Sequence, residues 1–259
     1  MHLGMEGVCK TFLGSRHETP ALRDIHLEVE SGEFLCIIGA SGCGKSTLLN
    51  LFAGLDKPDS GSVRENGQEI QGPSPQRVLL FQEPSLFPWL TVRDNAAFGL
   101  EAAGVPLAER RRTAERYLDV VRLGKFTGRF VHELSGGMKQ RVALARALCL
   151  EPKVLLMDEP FAALDAQTRD SLHEELQSIW RQTGTTIVFV THNVREALIL
   201  GDRVVLLSAR PGKVLREFRV SLPRPRHFED PGIAEAAREV LTDLRREVMK
   251  AELEERGMA

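Results

Sequence analysis

The stretch GASGCGKST (39–47) decides the fold, because it follows the pattern G-x-x-x-x-G-K-[ST]. The continuous apolar run EFLCIIG (33–39) leads into it, and LLNLFAGL (48–55) continues as a predicted helix. A buried strand, a glycine-rich loop and a helix in this order form the setting of a P-loop, in which backbone N–H groups surround phosphates. The alternative, a glycine-rich turn that happens to contain Lys-Ser, is disfavoured by these flanks. The predicted nucleotide-binding residues are Gly39, Ala40, Ser41, Gly42, Cys43, Gly44, Lys45, Ser46 and Thr47.

The P-loop predicts ATP with Mg²⁺ as the ligand. Lys45 is expected to reach the β- and γ-phosphate oxygens, and the Ser46 hydroxyl is expected to bind Mg²⁺. The apolar run VLLMDEP (154–160) ends in two adjacent acids. Asp158 suits a contact to Mg²⁺, and Glu159 can accept a proton from an attacking water. Two solvated acids at a strand end would be the simpler interpretation if no P-loop preceded them.

Short apolar runs at 33–39, 78–81, 154–159, 186–192 and 204–209 alternate with helical patterns. This alternation predicts an α/β fold with a mostly parallel sheet that has helices on both faces. The first thirty residues read as antiparallel strands, and residues 83–150 read as helices without strands. We therefore expect a P-loop NTPase core, an N-terminal antiparallel β-subdomain and an inserted helical subdomain.

Composition gives weaker constraints. The chain has 259 residues, a formal net charge of −2 and four scattered cysteines. This charge gives no reason to expect nucleic acid as a partner, and the cysteine spacing favours reduced thiols over disulfides or a zinc site. No apolar stretch approaches the roughly 18 residues of a membrane-spanning helix. We expect a soluble protein that acts at a membrane only through a partner.

LSGGMKQR (134–141) is the second predicted anion site, because a serine and two glycines precede a helical run. Together these motifs resemble the ATP-binding cassette family, the ATPase subunits of membrane transporters, over nearly the whole chain. The resemblance implies further site residues. Gln82 matches the Q-loop near the metal and the attacking water, Asp165 matches the D-loop, and His192 matches the switch histidine. Asn193 departs from the aspartate that family members often have after this histidine.

Phe12 matches the family's adenine-stacking aromatic, although a role as an ordinary core residue stays open. The resemblance also implies a head-to-tail homodimer, in which the signature sequence of one copy covers the γ-phosphate on the P-loop of the other. The signature residues expected to act across this boundary are Ser135, Gly136, Gly137 and Gln140. Such a dimer explains why one chain carries two phosphate-binding elements.

PSLFPWLTVRDN (84–95) is expected to bear an irregular aromatic loop and then a helix capped by Thr91 and Asp94. Two interpretations stay open: a docking groove for a polytopic membrane permease, or the insert's own small core. LFPWLTVRDN and SARPG…LPRPR resemble the branch that serves nitrate, sulfonate and taurine importers. We therefore expect an ATPase at the cytoplasmic face of the cell membrane, indirectly served by a solute-binding protein.

Other functions are less well supported. A cassette of another importer or exporter shares the nucleotide motifs. A non-transport cassette fits the chain length less well, and a P-loop kinase would not need the signature sequence. Residues 1–220 are expected to form the ATPase domain. Residues 221–259 are expected to form a Pro-rich linker and a C-terminal helix. One side of this helix carries an apolar stripe, which packs either on the ATPase domain or on a partner protein. That stripe is Ala237, Leu241, Leu244, Val248 and Ala251.

Overall fold

The computed structural model describes residues 1–13 and 18–255. Its centre is a six-stranded sheet in the order β10-β9-β3-β8-β7-β6, in which β10 alone runs antiparallel. Its strands are β3 (Phe34–Ile38), β6 (Arg77–Leu80), β7 (Val154–Asp158), β8 (Thr186–Val190), β9 (Arg203–Leu207) and β10 (Val214–Arg219). Strands β3 and β8 are buried along their full length, as expected for continuous apolar runs with both faces covered.

A second, antiparallel sheet has the order β2-β1-β4-β5. Its strands are β1 (Leu3–Leu13), β2 (Glu18–Val29), β4 (Ser60–Glu65) and β5 (Gln68–Glu69). Asn66 and Gly67 join β4 to β5, and both have the positive φ that a tight hairpin turn requires. One face of this sheet shares a core with one face of the central sheet and with the helix that follows the P-loop.

Seven α-helices complete the described fold: α1 (Lys45–Ala53), α2 (Val92–Ala102), α3 (Leu107–Val120), α4 (Gly136–Leu148), α5 (Ala166–Thr183), α6 (Val194–Leu200) and α7 (Pro231–Glu255). Every residue between β6 and β7 is described, and that segment has helices but no strand. Helices α2 and α3 pack on α4, which packs in turn on β6. These features confirm the predicted fold class.

Local sequence signals explain where the helices begin and end. Asp165 accepts a hydrogen bond from the backbone N–H of Thr168 and so caps α5, and Gly184 ends that helix with a left-handed φ. Thr91 caps α2 in the same way through the N–H of Asp94. The Thr91 cap agrees with the sequence prediction.

The C-terminal helix α7 packs on α6 and contributes to the main core. Its buried positions differ in part from the predicted stripe, because Val248 is exposed and Leu241 is only half-buried. The buried face is formed instead by Ile233, Ala237, Val240, Leu244 and Glu247. The apolar stripe thus ends on a buried acid that the pattern did not single out.

The four cysteines, all of them within the described residues, are free thiols. Burial raises the pKa of the Cys149 thiol to about 12. None of the described helices is long and apolar enough to cross a membrane.

Candidate nucleotide-binding and hydrolysis site

The parallel strands bring the predicted site residues to one edge of the central sheet. The P-loop follows β3, Gln82 follows β6, Glu159 follows β7 and His192 follows β8. Carboxyl ends of parallel strands meet at the same edge, and open α/β sheets bind their ligands in the crevice there. A cavity of about 430 Å³ lies at this edge and is lined by Ser41, Gly42, Lys45, Ser46, Thr47, Gln82, Asp158 and Glu159 among others.

The P-loop has the backbone conformation of an anion site. Gly42 and Gly44 have φ values of 71° and 100°, a region that residues with a Cβ rarely adopt. A Cβ on Gly44 would also lie 2.7 Å from the carbonyl oxygen of Ala21. Gly44 is the N-cap of α1 and supplies no side chain, so the first N–H groups of this helix have no side-chain cap. A helix N-terminus of this kind binds phosphate.

Lys45 is nearly buried, and its ammonium group donates hydrogen bonds to the carbonyl oxygens of Gly39 and Ala40 at 3.1 and 2.9 Å. Its Nζ lies 3.9 Å from Glu159 Oε1. The cation therefore lies between the P-loop and the second of the two acids, in the cavity itself.

The residues predicted to hold Mg²⁺ lie together in this cavity. Ser46, Gln82 and Asp158 offer a hydroxyl, an amide and a carboxylate, which are the oxygen ligands that Mg²⁺ prefers. Burial raises the pKa of Asp158, while the Ser46 hydroxyl and the charge of Lys45 oppose this rise. A cation beside Asp158 would favour its charged form, so this donor set fits a magnesium ion.

Glu159 and His192 form a hydrogen-bonded pair. His192 Nδ1 lies 2.8 Å from Glu159 Oε2, and the imidazole is exposed while the carboxylate is mostly buried. Glu159 has a φ of 43°, unusual for a residue with a side chain, and its N–H donates to the carbonyl of Val190. Strained backbone held by a neighbouring strand is a feature of functional sites. The pair can orient and deprotonate a water beside Lys45.

Comparisons with known proteins decide the family. The family model described as ABC transporter matches residues 22–162. The chain belongs to the ABC transporter family. It is 52% identical to the nitrate import ATP-binding protein of Synechocystis, covering 86% of this chain and 84% of that protein. It is 45% identical to the taurine import ATP-binding protein of Roseobacter denitrificans, over 91% and 88% of the two chains.

Solved structures of ABC transporter cassettes have the same fold as this chain. A dimeric bacterial ABC transporter cassette matches with a TM-score of 0.76 and 32% identity, over 85% of this chain and all of that one. A dimeric post-hydrolysis cassette bound to ADP and phosphate matches with a TM-score of 0.75 and 32% identity, over the same shares. The predicted family, fold class and ATPase class are therefore confirmed.

In this ABC transporter chain, the signature sequence lies outside the cavity that the P-loop lines. Ser135 caps α4 by accepting a hydrogen bond from the N–H of Met138, and both Ser135 and Gly136 are exposed. No signature residue is among the described residues that line the cavity. A Cβ on Gly137 would lie 2.5 Å from Thr168, so the start of α4 packs closely on the helix that Asp165 caps.

Gln140 differs from the other signature residues. Its side chain is buried, and its Nε2 donates to the carbonyl oxygen of Gln82 at 2.7 Å in the same chain. The expectation that Gln140 acts across a subunit boundary is not supported by this position, because burial keeps the side chain from another copy. Gln140 instead connects the signature helix to the Q-loop. Arg146 adds two hydrogen bonds from α4 to the carbonyls of Pro84 and Ser85.

The aromatic loop after Gln82 is held by one buried amide. The Asn95 side chain accepts a hydrogen bond from the N–H of Phe87 and donates to the carbonyls of Phe87, Leu90 and Thr91. Phe87 packs on Phe98 with ring centroids 4.3 Å apart, and Trp89 is 71% exposed. A groove of about 290 Å³ beside this loop is lined mainly by apolar side chains.

Phe12 is 44% exposed and lines the nucleotide cavity, a position that suits stacking on a base better than a core role. The cavity is also lined by Thr19, Ala21 and Arg210, which the sequence analysis did not single out. For Arg210 a signal existed. It follows β9, which pairs in parallel with β3, so its side chain begins at the same sheet edge as the P-loop.

Proposed function

We propose that this chain is the ATP-hydrolysing subunit of an ABC importer for a small solute of the nitrate, sulfonate or taurine kind. The proposal is carried by one observation: Lys45, Asp158, Glu159 and Gln82 line a single cavity at the carboxyl ends of parallel strands of one sheet. The solute class is supported by relatives whose names are nitrate, taurine and bicarbonate transport ATP-binding proteins.

Within this function we propose the following roles. The P-loop N–H groups and Lys45 bind the outer phosphates, and Phe12 stacks on adenine. Glu159 accepts the proton of the attacking water, while His192 holds Glu159 through their hydrogen bond. Ser46, Gln82 and Asp158 would hold Mg²⁺, which when bound neutralises charge on the phosphates. Catalysis is then mainly positioning and charge stabilisation.

We further propose a homodimer with two composite sites. The exposed Ser135 and the N–H groups of Gly136 and Gly137 contact the nucleotide of the partner copy, and Asp165 acts near the same boundary. Two-fold symmetry then generates two equivalent pockets from one pair of surfaces. ATP binding joins the half-sites, and loss of the γ-phosphate releases them.

The permease is proposed to dock at the groove beside the aromatic loop. Phe98 lines this groove and Trp89 is exposed on the aromatic loop itself, and exposed apolar clusters mark protein interfaces. The Gln82 backbone connects this loop to the signature helix through Gln140. We further propose that the chain acts at the cytoplasmic face of the membrane and that a solute-binding protein supplies the permease. The proposed division has an ATPase domain at 1–220 with its helical insert at 83–150, followed by a Pro-rich linker and a C-terminal helix at 221–259.

The test is reconstitution of the chain with its permease in vesicles. We expect ATP turnover to rise when the solute and its binding protein are added, with nitrate, taurine, alkanesulfonates and bicarbonate as the trial solutes. A Glu159→Gln subunit is the control and should assemble without turnover. The proposal is wrong if the pure chain transfers the γ-phosphate to a small-molecule acceptor, or if turnover is independent of the permease.

A further inference from the structure

We propose that Arg210 is a further nucleotide-binding residue, whose guanidinium contacts the phosphate groups of the bound nucleotide, and that Glu247 of α7 positions it. This inference rests on the proposed function, because it assumes that the cavity beside the P-loop binds ATP. It assigns a role to two segments that the nucleotide motifs leave unexplained: the turn ARPGKV (209–214) and the C-terminal helix.

Arg210 belongs to the nucleotide cavity by position. It lines the same cavity as Ser41 and Lys45, and its Nε donates to the carbonyl oxygen of Gly42 at 3.1 Å. The side chain is exposed, and a guanidinium has five N–H donors, of which this contact uses one. The remaining donors are available to a ligand in the cavity.

The charges of the cavity indicate which part of the ligand Arg210 meets. The cavity is lined by two acids, Asp158 and Glu159, and by Lys45. The ammonium group of Lys45 lies 3.9 Å from the Glu159 carboxylate. Among the described residues of the lining, Arg210 is the second cation, and it contacts the P-loop three residues before Lys45. Guanidinium groups bind phosphate oxygens in a bidentate manner, so a nucleotide phosphate is the group of matching charge and geometry.

The turn that carries Arg210 is packed directly on the P-loop. A Cβ on Gly212 would lie 2.2 Å from the carbonyl oxygen of Cys43, so only glycine allows this approach. Gly212 also exchanges backbone hydrogen bonds with β2, from its N–H to Ala21 and from the N–H of Arg23 to its carbonyl, both at 2.9 Å. The Ser208 hydroxyl accepts a hydrogen bond from the N–H of Lys213, and this bond closes the turn. These contacts therefore hold the backbone of Arg210 in a fixed position beside the P-loop.

Glu247 connects this turn to the C-terminal helix. Its side chain is buried, and its Oε2 accepts a hydrogen bond of 2.9 Å from the N–H of Ala209. Ala209 directly precedes Arg210 in the chain. Its Oε1 pairs with Lys250. A buried carboxylate is costly unless it is hydrogen-bonded, so this acid must keep its contact to the turn. The position of α7 and the position of Arg210 are thus coupled through one hydrogen bond.

The first experiment measures nucleotide affinity. Equilibrium dissociation constants for ATP, ADP and adenosine are compared for the wild type, Arg210→Gln, and Lys213→Gln as the matched control. Lys213 is an exposed cation of the same turn that does not line the cavity. We expect Arg210→Gln to weaken ATP and ADP binding about three- to tenfold, the range of an exposed charge-assisted hydrogen bond, and to leave adenosine binding unchanged. Lys213→Gln should match the wild type.

Three results would overturn the proposal. Equal affinities for Arg210→Gln and Lys213→Gln would show that Arg210 does not contact the nucleotide. An equal loss for adenosine would mean that Arg210 acts on the base or only through the P-loop. A loss seen only in the dimeric ATP-bound state, with monomer affinity unchanged, would place Arg210 at the subunit boundary. Failure of the proposed function is distinguishable, because Lys45→Ala would then bind ATP as well as the wild type.

The second experiment tests the positioning role of Glu247. Glu247→Leu should weaken ATP binding in the wild-type background but have no further effect in Arg210→Gln. Glu247→Gln keeps an acceptor for Ala209 and should restore most of the affinity. If Glu247→Leu weakens ATP binding equally with and without Arg210, then Glu247 acts only through general stability and its positioning role is wrong. Circular dichroism confirms that each variant is folded before binding is compared.

Discussion

Glu159 and His192 follow the neighbouring strands β7 and β8, and their side chains are joined by a hydrogen bond of 2.8 Å between Oε2 and Nδ1. The pair forms because β7 and β8 are parallel, so that Asp158 pairs in register with Val190 and the next residues turn into one crevice. Lys45 completes the group from the P-loop side. The acid proposed to accept a proton is thus fixed by two other chain segments.

Glu159→Gln should abolish turnover and preserve binding. Glutamine has nearly the same shape but cannot accept the proton of the attacking water. We expect the ATP hydrolysis rate to fall at least about 100-fold, the usual contribution of a general base, with the ATP dissociation constant little changed. A coupled phosphate-release assay measures the rate, and Glu151→Gln, at an exposed acid outside the cavity, is the control. Turnover near the wild-type rate would contradict the assignment of the base.

Asp158→Asn should stabilise the metal-free protein while removing Mg²⁺-dependent activity. Burial raises the pKa of Asp158 in the folded state, so the folded protein keeps this proton to a higher pH than the unfolded chain does. Its contribution to the free energy of unfolding therefore falls as the pH rises through the interval between the two pKa values. At pH 7 we expect Asn to raise the Tm by about 1–3 °C.

This gain in Tm should disappear below about pH 3, where the wild-type carboxyl is protonated in both the folded and the unfolded state. Thermal melts of the wild type and Asp158→Asn at pH 7 and below about pH 3, in the presence of a chelator, measure the difference. A Tm gain that is the same at both pH values would mean that the ionisation of Asp158 is not its cause.

Asn193 should be replaceable by aspartate but not by alanine. The Asn193 side-chain oxygen accepts the N–H groups of Arg195 and Glu196 and so caps α6 directly after His192. Alanine removes this cap and should cost about 1 kcal/mol of unfolding free energy, whereas aspartate keeps it and favours the helix dipole. Urea denaturation measures both variants. Equal losses for alanine and aspartate would show that the cap is not what stabilises this segment.

Arg141→Met should destabilise the contact between α4 and α5. The Arg141 guanidinium binds both oxygens of the buried Glu175 carboxylate, and the exposed Arg122 and the Ser171 hydroxyl remain as partners when it is removed. We expect a loss of about 2–3 kcal/mol, somewhat below the usual cost of removing one partner of a buried pair, because Arg122 compensates in part. The double variant Arg141→Met with Glu175→Met should regain much of the loss, since no unpaired acid remains. A double variant less stable than the single one would contradict this account.

The strands and the nucleotide motifs could be predicted because their signals are local. Continuous apolar runs require burial on both faces, and the P-loop glycines are required by the φ values of Gly42 and Gly44. The Thr91 cap of α2 is equally local, because the side chain accepts a hydrogen bond from an N–H three residues away. These features depend on few long-range contacts.

The features that could not be predicted depend on contacts between distant segments. The family resemblance groups Gln140 with the signature residues, but its side chain is buried against the Gln82 loop, 58 residues away in sequence. The apolar pattern of α7 predicts that Val248 is buried, whereas the buried position is Glu247, because its carboxylate accepts a hydrogen bond from the backbone N–H of Ala209. Arg210 lies in the SARPG string but in none of the nucleotide motifs, and it belongs to the cavity because β9 lies beside β3. Periodicity and motif spacing hold no information about such pairings.

The measurement that tests the account most directly mixes two inactive copies, Lys45→Ala and Ser135→Arg, after each alone has been shown to lack ATP turnover. If each site combines the P-loop of one copy with Ser135 of the other, a mixed dimer contains one intact site, and the mixture should recover about a quarter of the wild-type rate. If mixed dimers form and the mixture stays as inactive as its parents, the composite site is contradicted.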